Sequence, residues 1–426
     1  MVGGRTRQSQ YQSLHFAPKH SRRSPVGLIA ILVALVVLLV IAGLVKAAVA
    51  GAPRLTVHRT FPTRVVLPGT APKPAWPAGG EAAVEVQGLP SLGSSGGDTP
   101  QPIASLAKIM TAYVVLKDHP VAVGQNGFSV DITHADVSDY DNRAASAQSV
   151  VAVTSGESLT EVQLLQGLLV ASGNNLAAIL ADYDAGSATA FVAKMNSAAR
   201  ALGMTHSTYT DPSGLDTATV STASDQLLLA AKVMSDPVFA QIVAMKSVTL
   251  PNAGTLANFN SAVGQNGFIG IKTGSDSTAG GCLVFANRRT VDGRTFTILG
   301  AVLGQDTGQQ STATLIGAAV DAATALVQSV VGSVTVHTVV PAGTDVAEAS
   351  NADGTKVAIV TAKPLTALGY GGMTVPVSVQ LSSLGTKLER GQAVARVSAP
   401  GAGEEAGTAS RTMPSVSFSW KMVHDY

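Results

Sequence analysis

The spacing of apolar and polar positions changes character several times along the chain. Val26 to Val45 reads "VGLIAILVALVVLLVIAGLV", twenty residues without a charge. At about 1.5 Å per helical residue this spans a hydrocarbon core of about 30 Å, which predicts a transmembrane helix over 26–45. Residues 46–80 carry prolines at 53, 62, 68, 72, 74 and 77 and close on Gly79-Gly80, a composition that predicts an extended linker. From Glu81 the pattern is globular. A short strand over Ala82–Gln87 leads into "GLPSLGSSGGDTPQP", a hairpin turn or flexible connection.

Helical spacing follows in "PIASLAKIMTAYVVL", "TEVQLLQGLLVAS", "NLAAILADY", "SATAFVAKMNSAARALGM" and "ASDQLLLAAKVMSD". Ser158-Leu-Thr-Glu161 has the spelling of a capping box for the second of these. Beyond Ala240 the texture turns to strands, "SVTL", "GFIGIKTG", "GGCLVFANR" and "RTFTILGAVLG", with Asp292-Gly293 as a hairpin turn. A last helix over Thr312–Val330 would cover that sheet. Region 81–330 is therefore expected to be α+β, a helical cluster plus an antiparallel sheet covered by helices. Region 331–426 has short β-rich runs and is expected to be a small all-β domain of structural role. Gly401–Thr412 reads there as a loose loop, and the alternating "VSFSWKMV" as a strand closing the sheet.

Charge narrows the function. Lys+Arg number 28 and Asp+Glu 27, and aromatics are 4%, so neither a basic patch nor a stacking platform supports nucleic-acid binding. The single cysteine, Cys282, lies in an apolar strand pattern and reads as a small core hydrophobe. The eight histidines form no His-Glu-x-x-His pattern, so no metal or other cofactor is expected. Arg5, Arg7, Lys19, Arg22 and Arg23 precede the apolar run with no acid among them, which predicts a cytoplasmic tail over 1–25 and an extracytoplasmic remainder. The competing reading is a cleaved signal peptide, with Ala47, Ala48 and Ala50 near a cleavage site. The apolar run exceeds the usual h-region of about 7–15 residues and favours a retained anchor.

The candidate chemistry lies in three short motifs in order: Ser105-Leu-Ala-Lys108, Ser172-Gly-Asn174 and Lys272-Thr-Gly274. Each alone is weak, because serine often caps a helix and lysine often extends along apolar surface to water. Together, on a helix, a loop and a strand, they are specific. Ser105 at a helix N-terminus is an exposed nucleophile, and Lys108 lies one turn on along the same face. No acid lies within a turn of Lys108. Burial and the second cation Lys272 would lower its basicity from about 10.4 toward roughly 7–8, where an amine can take the serine proton. Ser172 can relay that proton to a leaving amine, and Asn174 can hold Lys108 and a substrate amide. Lys272 adds positive field, Thr273 can donate to a carboxylate, and Gly274 permits close backbone approach to a ligand. The backbone N–H groups of Ser105 and Ser275 are the candidates for an oxyanion site. Asp211 and Ser213-Gly-Leu-Asp216 read as a loop bordering the cleft or as a simple Asx turn. Asn258 and Asn260 read as sheet braces, and Asp225 as a first-turn acid.

These motifs, with "ASGNNLAAILAD", "FVAKMNSAARALGM" and "TYTDPSGLDTATVSTASDQLLLA", resemble the serine D-alanyl-D-alanine carboxypeptidases, the low-molecular-mass penicillin-binding proteins. The resemblance implies a penicillin-binding, β-lactamase-like fold and removal of the terminal D-alanine from peptidoglycan stem peptides. The intermediate would be an acyl-serine, with β-lactams as covalent inhibitors. Four positions depart from the family pattern: Ala107 replaces a threonine, Ser275-Asp276 follows the third motif, and Thr297 stands about where an arginine is common. The alternatives are a D,D-endopeptidase acting on cross-links and a non-catalytic peptidoglycan or β-lactam binder. A serine β-lactamase fits less well, because no glutamate lies between Asn174 and Lys272.

Overall fold

The strand patterns on either side of the third motif join the first globular strand in one antiparallel sheet. The computed structural model describes residues 25–305 and 311–424, with Met1. The basic tail, including Arg5, Arg7, Lys19, Arg22 and Arg23, lies outside the described residues apart from Met1 and Pro25. The sheet has five strands in the order Phe268–Asp276, Gly280–Val291, Arg294–Gln305, Glu81–Val86 and Ser91–Ser95. The third-motif strand is thus an edge, paired only with its successor. Asp292 and Gly293 both have positive φ, 48° and 73°, the geometry of the two-residue turn their identities predict.

Alternation along Gly280–Val291 divides the core in two. Cys282, Val284 and Ala286 face a helical cluster, while Leu283 and Phe285 face a covering helix on the other side. The helices are α1 (Pro25–Val49), α2 (Ala107–Asp118), α3 (His134–Ala145), α4 (Glu161–Leu169), α5 (Asn174–Ala185), α6 (Ala188–Ala201), α7 (Ala223–Val233), α8 (Pro237–Val243), α9 (Thr312–Val331) and α10 (Phe418–Val423). Buried apolar residues of α2 and α4–α8 form the cluster, and α9 is the cover, buried through Leu315, Ala319, Ala323, Leu326 and Val330. Alanines at 319 and 323 let its axis sit close to the sheet. This is the expected α+β arrangement. Cys282 is fully buried and burial pushes its thiol up to about 12, which leaves it an inert core residue.

The structure revises several local expectations. The box that caps α4 is built by Thr160 and Gln163, because Ser158–Thr160 first pairs as a strand with Ser129–Asp131 and moves the cap two residues on. Two stretches of the proline-rich segment are strands. Thr56–Arg59 pairs with Asp345–Ser350, and Arg64–Val66 with Thr374–Pro376. Gly403–Ala409, inside the expected loop, is a strand between Lys356–Thr361 and Ala393–Ala399 in a six-stranded sheet. Phe418–Val423 is a helix capped by Ser417 rather than a strand, and Met422 packs against Gly43 of α1. α1 itself is long and apolar enough to cross a membrane, with none of its apolar window buried. α9 passes the same length and composition test, but its apolar face is taken by the sheet.

Candidate active site

Ile103 leads into a tight 3-10 turn, Ala104–Leu106, that runs directly into α2. Ser105 therefore stands on the turn before the helix, not on its first α-helical residue. Ala104 holds φ at 45°, a conformation a β-carbon disfavours, and the turn is fixed by what passes close to it. A β-carbon on Gly214 would overlap the Ala104 carbonyl oxygen, and one on Gly274 would lie 3.0 Å from the Ser105 backbone nitrogen. Gly274 thus admits the edge strand to the serine turn itself. The close approach foreseen for a ligand is made by the protein's own backbone.

Lys108 is fully buried in the first turn of α2. Its Nζ donates to Ser105 Oγ at 2.8 Å and to the Ser213 carbonyl at 2.9 Å. Asn174, expected to hold this lysine, is not among those hydrogen-bond partners. Burial holds Lys108 well below the ordinary lysine value of 10.5, the Lys272 ammonium lowers it further, and Asp211 opposes. Lys272 is also buried, donates to the Thr273 carbonyl at 2.8 Å, and is lowered by burial to about 7.

The loop that supplies the Ser213 carbonyl is organised by Asp211. One of its carboxylate oxygens accepts from Ser213 N (3.0 Å), Ser213 Oγ (2.6 Å) and Leu215 N (3.0 Å), and the other accepts from Thr219 Oγ1 at 2.9 Å. The Asx turn and the cleft border are thus the same structure. Asp225 does more than face its helix dipole. It is buried and accepts from His206 N at 2.8 Å and Ser207 Oγ at 2.7 Å.

Ser105, Ser172, Asn174, Thr273, Gly274 and Ser275 line one cleft of about 410 Å³, with Lys108 and Lys272 buried beneath it. All eight residues singled out in the sequence are therefore brought together. Ser172 reaches it from a left-handed backbone, φ 59°, just before α5. Asp276 also lines the cleft, but its Oδ1 accepts from Thr278 N and Ala279 N, both at 2.7 Å, so its charge is committed to its own turn. Thr297 does not belong here. It pairs with Arg288 far along the sheet, while Gln305 of the same strand pairs with Gly281 beside the third motif. Thr297 lines a different cavity with Gln87 and Met373.

Sequence reasoning missed Gln148 and Phe259 as cleft residues, whereas Leu215 belongs to the loop it set at the cleft border. Phe259 has a local signal. It stands between Asn258, whose Nδ2 donates to Met245 O, and Asn260, whose N–H donates back to Asn258 Oδ1, so the two amides brace an exposed ring. Among the described residues no group of three metal-ligating side chains occurs, and the groups converging on the cleft suit acyl transfer.

The sequence pattern of the D-alanyl-D-alanine carboxypeptidases matches residues 74–307, which contain all three motifs. The chain belongs to this family. A D-alanyl-D-alanine carboxypeptidase of Mycobacterium tuberculosis is 34% identical over 187 residues, covering 43% of this chain and 60% of that protein. One of Streptomyces sp. strain K15 is 34% identical over 233 residues, covering 50% of this chain and 76% of that protein. The crystal structure of penicillin binding protein 5 from Haemophilus influenzae aligns with a TM-score of 0.55 at 21% identity, covering 82% of this chain and 99% of that one. That likeness concerns the fold. As a member of the carboxypeptidase family, the chain has the penicillin-binding, transpeptidase-like arrangement of helices and antiparallel sheet.

Proposed function

We propose that this family member is a serine D-alanyl-D-alanine carboxypeptidase acting on peptidoglycan stem peptides, with β-lactams as covalent inhibitors. One observation carries the reading: a buried amine of lowered basicity donates to the Ser105 hydroxyl at 2.8 Å beside a second buried lysine. In its neutral form that amine reverses the bond and accepts the serine proton.

Ser105 Oγ adds to the carbonyl carbon of the penultimate D-alanine as its proton passes to Lys108 Nζ. The Ser105 and Ser275 N–H groups receive the developing oxyanion. Collapse breaks the C–N bond, and the leaving amine takes the proton from Lys108 by way of Ser172. Water then adds to the acyl-serine ester and gives its proton to Lys108. Collapse breaks the bond from the acyl carbon to Ser105 Oγ, which takes that proton back from Lys108, and the shortened stem leaves as a carboxylic acid. Thr273, with the field of Lys272, holds the terminal carboxylate. The lactam carbonyl of a penicillin is opened by the same attack.

α1 serves as a retained anchor and places the cleft on the extracytoplasmic side. Incubation of the protein with pentapeptide stems and with cross-linked dimers tests the reading by product mass. Release of D-alanine from the pentapeptide is expected. Cleavage of the cross-link alone would make it an endopeptidase, and turnover of neither a binder.

A further inference from the structure

We propose that Gln148 is a positioning residue: held by Arg143, its side-chain oxygen fixes the Asn174 carboxamide in one of its two orientations. The inference rests on the acyl-transfer reading of the cleft, and it follows from which groups can only donate. A guanidinium has no acceptor. Arg143, in the last turn of α3, donates through Nε to Asp139 Oδ2 at 2.6 Å and through an Nη to Gln148 Oε1 at 3.3 Å. Gln148 must therefore turn its oxygen, not its NH2 group, toward Arg143. That same oxygen accepts from Asn174 Nδ2 at 3.0 Å. The guanidinium thus settles the orientation of two amides in succession.

The consequence lies on the other side of Asn174. The residue is 6% exposed, borders the cleft, and its Oδ1 is buried without a hydrogen-bond partner among the described residues. A buried acceptor left open costs free energy unless a donor arrives. A peptide N–H of the acyl-side residue of a stem, or the side-chain amide N–H of a penicillin, is such a donor. With the carboxamide turned over, an NH2 group would meet that N–H instead and repel it.

The backbone keeps the two side chains in register. Asn174 N donates to Ser149 O at 2.8 Å, and the Asn175 carboxamide brackets Val151, accepting from its N–H at 3.0 Å and donating to its carbonyl at 2.8 Å. Ala147, with φ at 53°, turns the chain out of α3 into this segment.

The test is the second-order rate of acylation by a fluorescent penicillin, measured on the full chain in detergent together with the KM for a pentapeptide stem. Gln148→Leu should lower acylation by about tenfold and raise KM, the effect of losing one oriented hydrogen bond to the ligand. Gln148→Glu keeps an acceptor for both Arg143 and Asn174 and should stay within about threefold of wild type. Arg143→Leu should fall between them, and the Arg143→Leu/Gln148→Leu double variant should be no worse than Gln148→Leu. Wild-type acylation by Gln148→Leu, or a Gln148→Glu variant as impaired as Gln148→Leu, would overturn the relay alone. A wild-type chain that no penicillin labels would overturn both the relay and the acyl-transfer reading.

Discussion

At the scale of single residues the account turns on where a cation is placed. Lys108 is fully buried on a helix whose Ile109, Met110 and Ala112 are fully buried too, and a fully charged ammonium there is opposed by both burial and Lys272. Replacing it with a side chain of similar volume isolates the chemistry from the packing. Lys108→Met should lower acylation by about 10²–10⁴-fold, the range for loss of a general base, while a melting curve keeps Tm within a few degrees of wild type. Gly274→Ala should slow acylation and destabilise by about 1–3 kcal/mol, because its methyl group meets the Ile103 carbonyl and the Ser105 nitrogen; chemical denaturation measures this. Lys272, lowered to about 7, is cationic below that pH and neutral above it. KM for a stem ending in a carboxylate should therefore rise as pH climbs through about 7. The seven motif residues of the site, and Ser275 directly after them, were legible because their types and spacings are local. Gln148 and the Ser213 carbonyl were not, since they meet Asn174 and Lys108 across 26 and 105 residues of chain. No short-range pattern encodes those meetings.

At the scale of elements, strong periodicity was read correctly, as were short strands such as Ala82–Gln87 and "SVTL", but two short segments near the C-terminus were not. α9 shows why: its buried positions recur at three and four residues from Leu315 to Val330, a pattern a strand cannot produce. α10 has six residues, and apolar positions two apart suit a strand until Ser417 caps the turn and Met422 meets α1. The strand Gly403–Ala409 carries too little apolar character to signal itself, and its place comes from partners on both edges. α4 offers an element-level prediction. Glu161 in its first turn is raised by burial from 4.5 to about 7, with Asp236 adding to the effect. The fold binds this proton more tightly than the unfolded chain does. The stabilisation is therefore full below about 4.5, is lost as pH rises toward about 7, and changes no further above that. Glu161→Gln should raise Tm at pH 8 by about 2–4 °C and leave it nearly unchanged at pH 4, as scanning calorimetry can show.

At the scale of the whole molecule, the third-motif strand, the serine turn and the start of α5 are held by one helical core, so the cleft does not depend on α1. α1 touches the rest of the chain through α10 and the end of the apolar run. A chain lacking residues 1–49 should leave the membrane fraction and acylate at a rate within about twofold of the full chain. The proline-rich segment was foreseen as a spacer, yet it lends two strands to the C-terminal sheets, and pairing partners some 300 residues away cannot be read from proline content. Arg294 ties the five-stranded sheet to that region through Thr366, with bonds of 2.8 and 2.6 Å. All of this serves to keep a buried amine of lowered basicity against Ser105. The pH dependence of penicillin acylation in the intact protein tests that most directly. The account predicts a rate that rises to half its plateau well below pH 10.5 and collapses in Lys108→Met. A midpoint near 10.5, or a Lys108→Met variant acylated at the wild-type rate, would contradict it.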